Sequence, residues 1–208
     1  MYNDKGFFIT GIGTGVGKTV VSAVLVQHFQ AAYWKPVQAG DLQQTDTMTV
    51  SNLVDQYLEL YPERYRFAMA ASPHQAAAAE GMTICPEDFR LPVSPRRLVV
   101  EGAGGLLVPL SEDYLMIDLA AQLQLPLVLV ARDYLGCINH TLLSLQVIQY
   151  RQLPLAYLVF NGPFNPATKA VISKYIPGGT TPLELPGFYP PTRDSIRQAA
   201  AALKETNK

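Results

Sequence analysis

Apolar residues in this chain fall into short solid runs separated by stretches where they recur every three or four positions. The solid runs are Phe7-Phe8-Ile9, Leu98-Val99-Val100, Leu127-Val128-Leu129-Val130 and residues 155–160. Runs this short, without alternation, predict strands buried on both faces. Between them the spacing turns helical: Val20, Val21, Val24, Leu25 and Phe29, then Met48, Leu53, Val54, Tyr57 and Leu58, then Leu142, Leu143, Leu145, Val147 and Ile148. Shorter helices are expected over residues 118–124, 167–175 and 195–203, the last two separated by a loop carrying Pro182, Pro186, Pro190 and Pro191. Tyr33 and Trp34 suit a short strand that Pro36 stops. Residues 61–97, with five prolines, read as irregular apart from a helical piece from Ser72-Pro73-His74 to Glu80. Strands and helices alternating in this way predict one α/β domain over residues 1–208. Its sheet is doubly wound and mostly parallel, with helices on both faces.

The first strand runs into Thr10-Gly11-Ile12-Gly13-Thr14-Gly15-Val16-Gly17-Lys18-Thr19, and the first helix follows at once. Strand, glycine loop and helix form the context in which a phosphate-binding loop works. Glycines let backbone N–H groups turn in on phosphate oxygens, and the helix start adds free donors and a positive dipole end. Lys18 would reach the β- and γ-phosphates and Thr19 would sit on Mg²⁺. The spacing is Gly11, five residues, then Gly17-Lys18-Thr19, one residue longer than the usual motif. A dinucleotide fingerprint does not explain Lys18-Thr19 and misplaces its third glycine. The stretch reads as a nucleoside triphosphate site of the P-loop NTPase type.

Composition narrows the partners. In 208 residues, 16 Lys+Arg balance 17 Asp+Glu, for a net charge of -1 and no block of like charge. Nucleic acid and anionic membranes are therefore not expected partners. No apolar run approaches membrane length and no leader-like start is seen, so a cytoplasmic location is expected. Cys85 and Cys137 are expected as free thiols, and His28, His74 and His140 are too scattered for a zinc site.

Other residues have two readings each. Lys35 ends a strand at the edge where open α/β sheets bind ligands, or it is a solvated surface charge. In Thr45-Asp46-Thr47, Asp46 is a helix cap or a hard ligand for Mg²⁺. Glu101, at the end of an apolar strand and followed by Gly102-Ala103-Gly104-Gly105, sits where a metal carboxylate belongs behind a P-loop. Gly136-Cys137-Ile138-Asn139 opens a helix whose N-terminus suits a carboxylate, unless Asn139 merely caps it. Asn161 reads a purine edge or holds a turn. His74 reads as structural.

Taken together, residues 10–19, 33–40, Asp46, 72–74, 101–105, 136–140 and Asn161 resemble the dethiobiotin synthetase family, in family order as far as residue 162. That resemblance implies ATP-dependent ring closure of 7,8-diaminopelargonate with CO₂. The steps are a carbamate, a carbamic–phosphoric anhydride, and attack by the second amine. It implies that Lys18 and Lys35 are catalytic and that Thr19, Asp46 and Glu101 hold Mg²⁺. ATP would be held by Gly15, Val16, Gly17, Lys18, Thr19 and Val20, with Asp46 and Glu101-Gly102-Ala103-Gly104. Asn161, Gly162, Pro186 and Gly187 would lie at adenine. Thr14, Lys35 and Ala39 would meet the diamine, with Gly136, Cys137, Ile138 and Asn139 taking its carboxylate across a homodimer interface. The chain departs from the family at Ala39, where a hydroxyl is usual, at Gly13, where aspartate is common, and at Gly162, where an acid is frequent. Three rivals compete. An amide-forming synthetase of the cobyrinic acid a,c-diamide type would carry a glutaminase domain, for which this chain is too short. A partition-type ATP switch would carry a second lysine early in the loop, and residues 11–16 have none. An inactive homologue fits Ala39 but not the intact set of Lys18, Thr19, Lys35, Asp46 and Glu101.

Overall fold

The computed structural model describes residues 5–55 and 57–203; residues 1–4 and 204–208 of the expected 1–208 domain lie outside the described residues. The elements run β1 (Gly6–Gly11), α1 (Lys18–Phe29), β2 (Ala32–Trp34), β3 (Val37–Ala39), α2 (Asp46–Leu53), β4 (Leu60–Tyr61), β5 (Tyr65–Phe67), α3 (Pro73–Ala79) and β6 (Leu98–Gly105). They continue with α4 (Met116–Leu123), β7 (Leu127–Ala131), α5 (Cys137–Tyr150), β8 (Leu155–Asn161), α6 (Pro166–Ser173), β9 (Thr181–Leu185) and α7 (Arg193–Ala202). Seven strands form one parallel sheet in the order β4-β2-β6-β1-β7-β8-β9.

From β1 the chain winds outward through β2, then returns through β6 and winds the other way through β7, β8 and β9. Right-handed crossovers therefore set α1 on one face and α4, α5 and α6 on the other. The contacts agree: α1 packs on α2 and α7, and α5 packs on α6. The winding reverses around β1 and β6, and at such a reversal the carboxyl ends of the strands leave a crevice for ligands.

The apolar runs are continuous because the strands are covered on both sides. Phe8, Ile9, Val99, Val100, Leu127, Val128, Leu129 and Val130 are all fully buried. Each contributes about 1.5–3 kcal/mol by burial.

Five features differ from the sequence reading. The helix expected through Met48, Leu53, Val54, Tyr57 and Leu58 ends at Leu53, with Val54 already extended. The strand through Leu98-Val99-Val100 runs on to Gly105, so Glu101 lies inside it. The loop between α6 and α7 contains β9, an edge strand level with β8 at Pro182 and Leu158; an edge tolerates a proline that a central strand excludes. The stretch 61–97 contributes β5, which pairs in parallel with β3 in a small second sheet just past Pro36. Finally, α4 begins at Met116, and Asp118 accepts the Leu115 N–H at 2.8 Å. Both thiols are free, as expected.

Leu129→Ala, in the middle of β7, is expected to destabilise the protein by about 2–5 kcal/mol, read from the urea midpoint. A loss under about 1 kcal/mol would show that the centre of the sheet is loosely packed.

Candidate active site

Register builds the centre of the site. Trp34 of β2 is level with Val100 of β6, so the next residue on each strand, Lys35 and Glu101, meet at the carboxyl edge. Lys35 is 4% exposed and Glu101 1%. The Lys35 ammonium donates to Glu101 Oε1 at 3.2 Å and to the Gly102 carbonyl at 3.2 Å, and sits 2.6 Å from Asp46 Oδ2. The lysine at this strand end is therefore buried and paired, not a solvated surface charge.

Asp46 reaches the same point from α2. Thr45 is the N-cap of α2, its hydroxyl accepting the Met48 N–H, which leaves the Asp46 carboxylate free to face inward. Gln38 fixes the helix start: its amide oxygen accepts the Asp46 N–H at 3.1 Å while its nitrogen donates to the Gly40 carbonyl at 3.0 Å. The Thr19 hydroxyl lies 2.7 Å from Asp46 Oδ1 and 3.0 Å from Glu101 Oε1. Having one hydrogen, it donates to only one of them at a time.

Burial opposes charge on Lys35, yet Glu101 and Asp46 hold its pKa above the ordinary value. Burial likewise works against ionised Asp46, but Lys35 overrides it and the carboxyl is held low. Tyr33, fully buried, donates to Glu101 Oε2 at 3.0 Å. Burial, with Glu101 beside it, raises the phenol well above its usual pKa, so it remains a donor.

The donor set of Thr19, Asp46 and Glu101 suits Mg²⁺, which takes one or two carboxylates and completes its octahedron with water and phosphate. Among the described residues no three His, Cys, Asp or Glu side chains gather into a closed metal cage. A cation held partly by substrate phosphates needs no such cage.

The P-loop faces this cluster. Gly17, the N-cap of α1, has φ 89°, and a side chain there would also place its Cβ 2.1 Å from Asn161 Nδ2. Only glycine fits on both counts. Lys18 is folded back on the loop, donating to the Gly13 carbonyl at 3.1 Å. Burial and then the charge of Lys35 lower its pKa to about 8, so its charge is poorly compensated until an anion enters.

A cleft of 720 Å³ joins these groups. It brings together Thr14, Gly15, Gly17, Lys18, Thr19 and Val20 of the loop with Lys35 and Ala39, and with Asp46, Glu101, Ala103 and Gly104. Gln38, Ala70, Ala71 and Ser72 complete the wall. Val16 is buried beneath the loop, and Gly102 lies under Phe8 and Met116, joining in through its carbonyl.

At the far end, Asn161, Gly162 and Gly187 line a smaller pocket with Val20, Arg132 and Tyr189. Pro186 is exposed and not among its walls. Asn161 both holds the loop and faces the pocket. Its amide nitrogen donates to the Val16 carbonyl at 2.8 Å, which leaves its oxygen as the free acceptor.

Gly136, Cys137, Ile138 and Asn139 are not drawn into the main cleft of their own chain. Gly136 is the N-cap of α5, and Asn139 lies inside the first turn. Cys137 is buried, its thiol toward Asp133 and its N–H bonded to the Tyr134 carbonyl. Ile138 and Asn139 present first-turn N–H groups that have no carbonyl of their own helix to bond.

Sequence reasoning missed Gln38, Tyr33, Arg132 and Tyr189. Gln38 next to Lys35-Pro36-Val37 was the one readable signal, a polar residue in a buried stretch. Tyr33 meets Glu101 across two strands, and Arg132 and Tyr189 meet between loops, contacts that spacing does not reveal.

A family model described as an AAA domain matches residues 5–197. The ATP-dependent dethiobiotin synthetase BioD of Paramagnetospirillum magneticum is 46% identical over 171 residues, covering 82% of this chain and 83% of that protein. The protein of the same name from Nitrobacter hamburgensis is 44% identical over 93% of this chain and 91% of its own length. Among solved structures, a ParA family ATPase from Chlorobium tepidum superposes with a TM-score of 0.55 at 16% identity, over 96% of this chain and 92% of that one, a likeness of fold alone.

Gly17→Ala is expected to weaken binding of a non-hydrolysable MgATP analogue at least tenfold, measured by calorimetry, since left-handed strain and a clash with Asn161 act together. Unchanged affinity would mean that the loop geometry is not needed for binding.

With these relatives aligned along most of its length, the chain belongs to the ATP-dependent dethiobiotin synthetase family.

Proposed function

We propose that residues 1–208 form one synthetase domain that closes the ureido ring of dethiobiotin from 7,8-diaminopelargonate, CO₂ and ATP. The observation that carries the residue roles is the buried meeting of Lys35, Asp46, Glu101 and Thr19 directly opposite Lys18. One diamine nitrogen adds to CO₂ and loses a proton, giving a carbamate. A carbamate oxygen attacks the γ-phosphorus and ADP leaves. The second amine then attacks the carbamoyl carbon, the ring closes and phosphate departs.

This sequence crowds negative charge between carbamate and γ-phosphate, so catalysis rests on positioning and positive charge. Lys35, kept protonated by its two carboxylates, faces the reacting oxygens. Lys18 leaves the Gly13 carbonyl for the β- and γ-phosphates. Thr19, Asp46 and Glu101 would hold Mg²⁺, which when bound neutralises phosphate oxygens. Asn161 offers its free oxygen to an amino group on the base, as adenine carries at C6, where guanine has a carbonyl. Ala39, Ala70 and Ala71 give the substrate end of the cleft an apolar wall, suited to methylenes where a hydroxyl contact is missing.

The α5 start favours a homodimer with sites at the interface. Leu107, Leu135 and Leu143 are 56%, 103% and 51% exposed beside an apolar pocket of 310 Å³ lined by Gly13, Thr14, Val108 and His140. A second copy seated here would cover that patch and bring the Ile138 and Asn139 N–H groups to the substrate carboxylate. Among the described residues no helix is long and apolar enough to cross a membrane. A cytoplasmic enzyme is the matching proposal.

Purified protein given MgATP and bicarbonate is expected to release phosphate only when 7,8-diaminopelargonate is present, one per dethiobiotin formed. Diamine-independent hydrolysis, or phosphate without dethiobiotin, would overturn the reading in favour of an ATP switch.

A further inference from the structure

Beyond the P-loop, Arg132 beside the nucleotide pocket has no anionic partner among the described residues. Arg132 is the first residue past β7, and β7 is the neighbour of β1 in the sheet. It therefore emerges next to the P-loop at the carboxyl edge. Its guanidinium rests on two neutral oxygens: Nη1 donates to the Gly15 carbonyl at 3.4 Å and Nη2 to the Tyr189 hydroxyl at 2.6 Å. Two of its five N–H donors are thus used, and its charge is balanced by no carboxylate.

Tyr189 comes from the loop after β9, so the pair spans the end of β8, where Asn161 and Gly162 form the pocket floor. The ring is 73% exposed. A side chain at Gly187 would meet it at 2.9 Å, so the missing side chain there lets the ring lie across the pocket. The guanidinium also sits 5.8 Å from the ring centroid, within cation–π range.

We propose that Arg132, braced by Tyr189, is a nucleotide-positioning residue: it supplies a cation from outside the P-loop to the phosphate nearest the ribose, while Tyr189 covers the base. The location sets the ligand atom. Arg132 lies between the base pocket and the Gly15 carbonyl, and the phosphate nearest the ribose is the part of a nucleotide that spans those two points. An arginine with spare donors and neutral partners gains a charge-assisted bond when that phosphate arrives. The inference rests on the ATP site, and direct binding of nucleotides tests it separately from dethiobiotin synthesis.

The experiment is calorimetric titration of the full chain with MgADP and with adenosine, for the parent, Arg132→Ala, Tyr189→Phe and the double variant. Arg132→Ala is expected to weaken MgADP about tenfold, the worth of one charge-assisted bond, and to leave adenosine unchanged. Tyr189→Phe keeps the ring but loses the brace, and is expected to weaken MgADP by a smaller factor. It should add nothing in the Arg132→Ala background, because the two act as one unit. In turnover assays the loss is expected to appear as a higher KM for ATP. MgADP binding as tight as the parent's or tighter, an equal loss for adenosine, or additive losses in the double variant would each overturn the proposal.

Discussion

A lysine buried between two carboxylates is the constraint on which the site depends. Taking Lys35, Glu101 and Asp46 out of water costs several kcal/mol per ion, which their attraction offsets only if geometry and further hydrogen bonds are good. Strand register places Lys35 beside Glu101, Gln38 and the Thr45 cap set Asp46, Tyr33 satisfies the outer oxygen of Glu101, and the Gly102 carbonyl takes another ammonium hydrogen. The supports come from β2, β3, β6 and the start of α2, so the sheet, the second small sheet and α2 must all be in place for the charges to be tolerated. The fully buried apolar strands below supply the rigidity that this requires.

The same arrangement fixes where the charges of the site lie. Lys35 supplies positive charge among Thr19, Asp46 and Glu101, where the reading puts Mg²⁺, and Lys18 waits on a loop carbonyl with a pKa lowered to about 8. On that reading, a metal–triphosphate complex would give both carboxylates a new partner and both lysines an anion. Charges already positioned need little reorganisation as negative charge develops in the reaction. At the other end, Asn161 ties the loop backbone to the smaller pocket through one amide, which on the proposed reading would link base recognition to loop shape.

Much of this was legible in the sequence because it is local. The P-loop, the strand-end position of Lys35, and the helix opening at Thr45-Asp46 follow from residues within a few positions of one another. What was not legible depends on pairing across the sheet. Nothing near Tyr33 announces that its hydroxyl will meet a carboxylate 68 positions away. β9 was hidden by Pro182, which only an edge position excuses. The prolines of residues 61–97 masked β5, whose partner β3 follows a proline too. Gly136 to Asn139 stand apart from the main cleft of their own chain, so their expected role rests on a second copy rather than on any contact one chain makes.

The central claim is that the Lys35 charge acts on the reacting groups rather than on nucleotide binding. Its most direct test is Lys35→Ala, with binding of a non-hydrolysable MgATP analogue and dethiobiotin turnover measured on the same preparation. Affinity within a few-fold of the parent with turnover lower by roughly 10²–10³ is the predicted result. Turnover within twofold of the parent would remove Lys35 from the chemistry and contradict the account.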